Sequence, residues 1–189
     1  MAKSKSIVIF SVIFTIILVL SSSAFPLVLD DENARSSLKG LKGVYVWITF
    51  LPGPIEVLES RGFSEEVVKT DVELKLRLAG INAVSNTEAI YDIQGKATLV
   101  VEIHWVDTQI SETNTQSKQI AYTCNAELFQ STYLARNPTL KVMAKTWSRD
   151  GIGVGYTDQD LAIHIRNHVK DLLDNFINAY LSVNPKGGK

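Results

Sequence analysis

Cysteine is almost absent from this sequence, which holds one, Cys124, among its 189 residues. A single cysteine cannot form a disulfide within the chain, so the fold is not a small scaffold held together by disulfides. Cys124 lies in an apolar segment with alternating residues, the usual surroundings of a buried structural thiol. A cysteine nucleophile would need a histidine beside it, and nothing in the local sequence supplies one. We therefore expect Cys124 to be a small core residue.

The sequence also lacks an excess of charge of either sign. Its 19 basic and 20 acidic residues give a formal net charge of −1. Without the first 24 residues, which include Lys3 and Lys5, 17 basic and 20 acidic residues remain, a net charge of −3. A basic face or stripe is needed to bind nucleic acid, so we expect no nucleic-acid partner. The hydrophobic share of 46% is enough to bury the core of one ordinary domain.

The apolar run at the amino terminus is short. Residues 7–20 would form a helix that rises roughly 21 Å, less than the ~30 Å of a bilayer's hydrocarbon core. Two lysines precede the run, and the small residues Ser22 and Ala24 follow it, as in a secretory signal peptide. We predict that residues 1–24 are removed by cleavage after Ala24, leaving a periplasmic or secreted protein without a stable transmembrane span. The alternative is an inner-membrane protein anchored by its uncleaved signal.

Hydrophobic periodicity predicts one α+β domain with elements in the order β-α-β-β-β-α. Residues 30–42 are polar and show no clear period, so residues 25–42 are interpreted as a linker. The domain then covers residues 43–185, and residues 186–189 are expected to be disordered. Short loops join the later strands, which predicts a mainly antiparallel four-stranded sheet with two helices on one face, a two-layer sandwich. A short strand around Ala83 and Val84 would extend this sheet.

The first predicted helix has clear ends. Ser64 is suited to cap its start, and Gly80 is suited to end it in the left-handed conformation. Its apolar stripe includes Leu76. Asp71 and Lys75, four residues apart, are expected to pair with each other at the rim.

Two sequence patterns resemble known reactive or binding sites but lack residues that those sites need. His164 and His168 are four residues apart on the last predicted helix, with Asp171 one turn on, a spacing that can hold a metal ion. However, no glutamate follows His164 as in metalloproteases, so we interpret both histidines as half-exposed residues beside the apolar stripe. Gly-x-Ser-x-Gly does not occur, and paired carboxylates at a fixed spacing are missing. We expect no catalytic residue, no metal site and no cofactor.

Three glycines alternate just before the last helix. They are Gly151, Gly153 and Gly155. A glycine turn at a helix start can hold phosphate, but this segment lacks the lysine of a phosphate-binding loop. Asp158 and Asp160 would also repel an anion there. We interpret the segment as a flexible connection between the last strand and the helix.

The sheet face turned away from the helices is the most informative feature. Strand alternation assigns to this open face Tyr45, Trp47, Thr49, Glu102, His104, Thr123, Asn125, Glu127, Lys141, Lys145 and Trp147. Aromatic residues mixed with a few charges are typical of recognition surfaces. The candidate partner-binding residues are Tyr45, Trp47, Glu102, His104, Asn125, Lys145 and Trp147. The alternative is that residues 30–42 or self-association cover the face.

Short motifs resemble a group of uncharacterised secreted bacterial proteins. The motifs are Leu76-Arg77-Leu78-Ala79-Gly80-Ile81, Thr146-Trp147-Ser148, and Phe176 followed by Tyr180-Leu181-Ser182-Val183-Asn184-Pro185-Lys186. More distantly, the element order is similar to envelope domains such as the amino-terminal domain of the Tol translocation protein and the lipopolysaccharide-assembly lipoprotein. This resemblance implies a binding or assembly module rather than an enzyme. The chain departs from the lipoprotein because no cysteine follows its apolar run.

These observations favour an exported, non-enzymatic interaction or assembly module of the cell envelope. Its partner would be an envelope protein, a glycan or a lipid-linked molecule. The alternative hypothesis is a metal-dependent or hydrolytic periplasmic enzyme.

Overall fold

The computed structural model describes residues 29–51, 58–59, 62–84, 95–107, 119–156 and 161–185. The predicted signal peptide, the loop that begins at residue 108 and the carboxyl-terminal tail lie outside the described residues. The elements in chain order are α1 (Glu32–Ser36), β1 (Gly43–Phe50), α2 (Glu65–Leu78), β2 (Ala83–Val84), β3 (Lys96–Asp107), β4 (Gln119–Leu134), β5 (Asn137–Tyr156) and α3 (Leu161–Val183).

The sheet has five strands in the order β2-β1-β3-β4-β5. β3, β4 and β5 are antiparallel neighbours, whereas β1 runs parallel to both β2 and β3. A parallel pair needs a crossover, and α2 lies in the crossover that follows β1. The antiparallel meander and the short extra strand are therefore present, but the prediction of four strands needs correction to a five-stranded mixed sheet.

The core lies between one face of this sheet and the two long helices. β1 contributes Val44, Val46 and Ile48, as its alternation predicts, and α2 contributes Val68, Val72 and Leu76. The buried stripe of α3 is Leu161, Ile165, Val169, Leu172, Leu173, Phe176, Ile177 and Ala179. Cys124 is also fully buried in this core, as predicted.

Both ends of α2 follow the sequence signals. The Ser64 side chain accepts a hydrogen bond from the Val67 amide, which satisfies one amide of the first turn. At the other end Gly80 has a φ of 84°, and the Ile81 amide donates to the Leu76 carbonyl. This closing turn buries Ile81 against the core.

The predicted pair between Asp71 and Lys75 is wrong, because each of these residues pairs with α3 instead. The Asp71 carboxylate lies 2.6 Å from the Arg166 guanidinium, and the Lys75 ammonium lies 2.7 Å from Asp174. The two ion pairs therefore join the helices to each other along the rim of the core.

The segment interpreted as a linker contains packed structure. Asp31 caps α1 by accepting from the Ala34 amide, and Leu38 just after the helix is fully buried. The Asn184 side chain accepts from the Gly40 amide and donates to the Leu38 carbonyl, which ties this segment to the end of α3. The ordered domain therefore includes residues 29–42, because polar residues here make specific hydrogen bonds that periodicity cannot predict.

A β-bulge reverses the predicted phase of β5. Leu128 pairs with Trp147, but the next residue, Phe129, pairs with Lys145, so Thr146 is an extra residue in β5. An extra residue moves every later side chain to the opposite face. Trp147 is consequently 0% exposed and packs edge-on against Phe176 of α3, with ring centroids 5.1 Å apart. Its predicted place on the open face is wrong.

The alternating glycines lie inside β5 and not in a connection, contrary to the sequence interpretation. A methyl group at Gly151 would overlap the His168 ring, one at Gly153 the Tyr122 ring, and one at Gly155 the Leu161 side chain. These glycines therefore leave room for side chains of the core and of α3, and their function is packing.

Candidate functional site

Trp47 and Tyr45 lie at the edge of the sheet formed by β1. Trp47 is 53% exposed on the open face, whereas Tyr45, two residues earlier, is only 9% exposed. The ammonium of Lys69, from α2, lies 5.1 Å from the centroid of the Tyr45 ring. This cation–π contact covers Tyr45 and leaves Trp47 as the accessible aromatic residue.

The other open-face candidates form a band of close polar contacts across β3, β4 and β5. Glu102 and His104 lie 3.0 Å apart along β3, and Lys145 of β5 lies 2.9 Å from Glu127 of β4. Asn125 is half-buried and pairs in register with Glu102. Because Lys145 and Glu127 already neutralise each other, this pair offers less to a partner than the exposed Trp47 does.

Trp147 is separated from this band by the full thickness of the sheet. Its indole nitrogen donates to the Asp30 carboxylate at 2.9 Å, on the side of the helices. The structure therefore brings Tyr45 and Trp47 together, places Glu102, His104, Asn125 and Lys145 beyond them, and removes Trp147 from the candidate site.

A cavity of about 440 Å³ adjoins the two aromatic residues. Its walls are Tyr45, Val46, Trp47 and Ile48 of β1 and Glu65, Glu66 and Lys69 of α2. Successive strand residues point to opposite faces, so four in a row can line one cavity only if it runs along the strand's edge. We call this cavity the β1 cleft.

Two described contacts lie on the edge of β1 along the β1 cleft. β2 pairs with β1 as far as Tyr45, and further on the Phe50 amide donates to the Glu65 carboxylate at 3.1 Å. Between these points Val46 is fully buried and Ile48 is nearly so. The amide of Ile48 points to this side of the strand.

The direction of the Ile48 amide follows from its neighbours. The Val44 amide donates to Asn82 beside β2 and the Phe50 amide to Glu65, whereas the Leu51 amide donates to Ile103 of β3. Amides alternate between the two sides of a strand. The even-numbered residues of β1 therefore point away from β3.

The sequence pattern did not identify the acidic residues of the β1 cleft as candidate site residues. Glu65 and Glu66 have the sign expected at a helix start, and this explanation left no reason to assign them a further function. Their position near Trp47 depends on how α2 packs against β1. The sequence signal that could have found them is the pair of adjacent acidic residues at the start of the helix that follows the aromatic strand.

Two groups with potential reactivity lie away from the β1 cleft. Burial raises the pKa of the Cys124 thiol to about 12, so the thiolate needed for nucleophilic chemistry is not formed near neutral pH. His164 is exposed, whereas His168 is half-buried with its ring 5.8 Å from that of Tyr122. In the described ranges, no three histidine, cysteine or acidic side chains are grouped as metal ligands.

A buried carboxylate joins residues 29–30 to β5. Burial alone would raise the pKa of Asp30, but hydrogen bonds from Arg35, Trp147 and Arg149 outweigh it and lower the pKa to about 2. The Ser148 amide also donates to the Leu29 carbonyl at 2.9 Å. The charges of this cluster are paired with one another, and its hydrogen bonds hold residues 29–30 against β5. We call this structural cluster the clamp.

A strip of exposed apolar side chains lies on the opposite edge of the sheet. It consists of Ile152, Val154 and Tyr156 of β5. The sequence analysis missed this strip, because it interpreted these residues as part of a flexible connection.

No family model matches this chain, and no curated protein matches it. The solved structures that are similar to part of this chain include the following three. A dodecamer of a PelC variant from Paraburkholderia phytofirmans is 16% identical, covering 72% of this chain and 88% of the other, with a TM-score of 0.43. Rare lipoprotein B from Shewanella oneidensis is 9% identical, with coverages of 74% and 96% and a TM-score of 0.35.

The third structure is a putative neuraminyllactose-binding hemagglutinin homolog from Helicobacter pylori, 11% identical, with coverages of 77% and 82% and a TM-score of 0.36. The neighbours thus include proteins of the envelope type. All three TM-scores lie below 0.5, so these similarities do not assign the chain to a family. Within the described part of the chain, no helix has the length and apolar character needed to cross a membrane.

Proposed function

We propose that this chain is an exported, non-enzymatic interaction or assembly module of the cell envelope, and that it binds its partner at the β1 cleft. The observation that carries the proposal is the half-exposed Trp47 beside a mainly apolar cavity with three charged residues of α2 in its lining. Aromatic residues next to pockets supply much of the energy of protein recognition.

The composition of the β1 cleft supports binding. Tyr45 is held in place by Lys69, so one aromatic wall is ordered before a partner arrives. Glu65 is likewise fixed by its hydrogen bond with the Phe50 amide. A preordered site loses less conformational entropy when it binds.

Crosslinking in the native envelope followed by purification of the full-length protein tests this function. We expect a discrete partner with the native protein and a recovery at least about 10-fold lower with Trp47→Ala, as for an aromatic anchor. Ile163→Ala is the matched control, because Ile163 is an equally exposed apolar residue on α3. Equal recovery from native protein and Trp47→Ala would contradict binding at the β1 cleft.

The alternative, a metal-dependent or hydrolytic periplasmic enzyme, requires a separate measurement. Metal analysis of the purified protein and a panel of hydrolase substrates would detect it. Turnover, or one bound metal ion per chain, would favour the enzyme and contradict the proposal.

A further inference from the structure

We infer that the tip of the hairpin formed by β4 and β5 docks on a membrane surface that carries anionic lipid headgroups. The docking segment consists of residues 131–143, which we call the ribbon. The ribbon is separate from the β1 cleft, so this inference goes beyond the proposed function.

The ribbon continues past the described pairing of β4 with β3. The pairs between β3 and β4 end at Thr98 and Phe129, whereas those between β4 and β5 continue to Leu134 and Asn137. The stretch of β4 that follows Phe129 adds roughly 17 Å of two-stranded hairpin at 3.3 Å per residue. A hairpin that projects in this way can reach a flat surface before the body of the domain does.

Large apolar side chains are exposed on the ribbon. Tyr133 is 65% exposed, Leu140 47% and Met143 42%. Tyr133 pairs with Lys141, and Met143 pairs with Ser131, so these two apolar side chains share one face of the hairpin. Leu140 directly precedes Lys141 in β5 and therefore points to the other face. The exposed apolar surface is thus distributed over both faces.

This distribution favours a membrane over a folded protein partner. A folded protein that packs on the sheet would cover one face of the ribbon and leave the other in water. The boundary between headgroups and acyl chains instead surrounds an inserted tip and takes up apolar side chains from both faces. Tyr133 fits this boundary, because tyrosine rings are enriched where a membrane meets water.

The charge of the hairpin is complementary to anionic headgroups. Residues 128–149 include four basic residues and no acidic one. Lys145 and Arg149 are paired with carboxylates of β4 and of the clamp. Arg136 and Lys141 are exposed in the ribbon, and within the described ranges neither forms an ion pair. Such cations beside exposed apolar side chains attract a surface of anionic lipid.

Two more exposed lysines lie at the same end of the sheet. Lys42 directly precedes β1, and its amide donates to the Gly95 carbonyl just before β3. Lys39 is two residues from Ser37, whose carbonyl accepts a hydrogen bond from Gln130 at the base of the ribbon. Because β4 is antiparallel to β3, the starts of β1 and β3 lie at the end from which the ribbon projects. Positive charge at this end is therefore not confined to the ribbon.

Flotation of the exported protein with lipid vesicles tests the inference. Vesicles of phosphatidylcholine and phosphatidylglycerol in equal parts should carry the protein, and vesicles of phosphatidylcholine alone should carry little of it. Binding should weaken at about 1 M salt, where the screening length is roughly 3 Å. Equal binding to the two kinds of vesicle would overturn the inference.

The contribution of charge is tested with two matched variants. Lys141→Glu should weaken binding to the anionic vesicles by at least about 10-fold, because one attraction is removed and one repulsion is added near the surface. Lys170→Glu makes the same change at an exposed position of α3 and should bind within about 2-fold of the native protein. Equal weakening by the two variants would overturn the inference.

The contribution of apolar contacts is tested in the same strand. Leu140→Ser should weaken vesicle binding by roughly 5-fold, as expected when a leucine side chain no longer leaves water. Ile152→Ser is the control, because Ile152 is 78% exposed near the other end of β5. A larger loss from Ile152→Ser than from Leu140→Ser would overturn the inference.

Fluorescent labels distinguish the membrane from a folded partner. Leu140→Cys and Met143→Cys place an environment-sensitive thiol label on either face of the ribbon, and the native Cys124 is buried away from the reagent. Both labels should shift to the blue with anionic vesicles, whereas the same label on Ile152→Cys should not. A shift from only one face, or from neither, would indicate another kind of contact and overturn the inference.

The inference and the proposed function can fail separately. Trp47→Ala should bind anionic vesicles like the native protein, because Trp47 lies on β1 and outside the ribbon. Loss of vesicle binding in Trp47→Ala would place the lipid contact at the β1 cleft and overturn the inference. The proposed function fails only if the envelope partner is independent of Trp47.

Discussion

At the scale of single residues, the three tryptophans show how position decides function. Trp105 packs against Phe50 and Phe63 in the core, and Trp147 packs against Phe176. Trp47 alone is substantially exposed. The same residue type therefore stabilises the fold at two positions and remains available for recognition at the third.

We predict that Trp147→Ala lowers the free energy of unfolding by about 3–5 kcal/mol, the usual cost of truncating a large buried aromatic residue. Trp47→Ala should cost less than about 1 kcal/mol, because much of its side chain stays in water in the folded protein. Chemical denaturation of both variants measures the difference. Similar losses at the two positions would show that Trp47 is part of the core.

Asp30 makes stability depend on pH in a defined direction. Its pKa in the folded protein is about 2, below the ordinary value of 3.8. The carboxylate therefore stays charged to a lower pH in the folded protein than in the unfolded chain. The resulting stabilisation of about 2 kcal/mol is complete above pH 5 and is lost as the pH falls through about 4 towards 2. Denaturation curves between pH 7 and pH 2 measure this loss.

Asp30→Asn should remove about 2 kcal/mol at pH 7 and flatten the curve below pH 5. Asp174→Asn is the control, because Asp174 is mostly exposed and, among the described residues, pairs with Lys75 alone. An unchanged pH dependence in Asp30→Asn would mean that other carboxylates cause the acid instability.

At the scale of elements, α2 shows what a sequence pattern can predict. Leu76 is fully buried, as the helical stripe predicts, whereas Leu78, two residues on, is 77% exposed. We predict a loss of about 2–5 kcal/mol for Leu76→Ala and less than about 0.5 kcal/mol for Leu78→Ala. Urea denaturation of the pair checks the helix phase, and equal losses would refute it.

The elements that the sequence predicted correctly depend on local rules. Val44, Val46 and Ile48 of β1 are buried in the core as predicted, and Ser64 and Gly80 mark the ends of α2, because each signal acts within a few residues. The extra residue at Thr146 depends on pairing with β4 across the sheet, so alternation carried past it placed Trp147 on the wrong face. The prediction that Tyr45 and Trp47 lie on the same face of the sheet needed only the alternation of β1, whereas the positions of Glu65 and Glu66 depend on the packing of α2.

At the scale of the whole molecule, the junction with the predicted signal peptide is close to the folded domain. Leu29 bonds to Ser148, and Asp30 is held by Arg149 and Trp147. Four residues, 25–28, would therefore separate the proposed cleavage site from the clamp.

We predict that the exported protein begins at Phe25, since Ser22 and Ala24 supply the small residues of a cleavage site. Mass spectrometry of the protein isolated from the envelope gives its first residue directly. Membrane-bound protein that retains Met1 or Ala2 would identify an uncleaved anchor.

The central claim is that the edge at β1 recognises a partner. A photo-reactive phenylalanine derivative placed at Trp47 in living cells tests it most directly, with the same group at Ile152 as control, because Ile152 is exposed at the opposite edge of the sheet. We predict one discrete adduct from position 47 and none of the same mass from position 152. No adduct at position 47, or the same adduct from both positions, would contradict the claim.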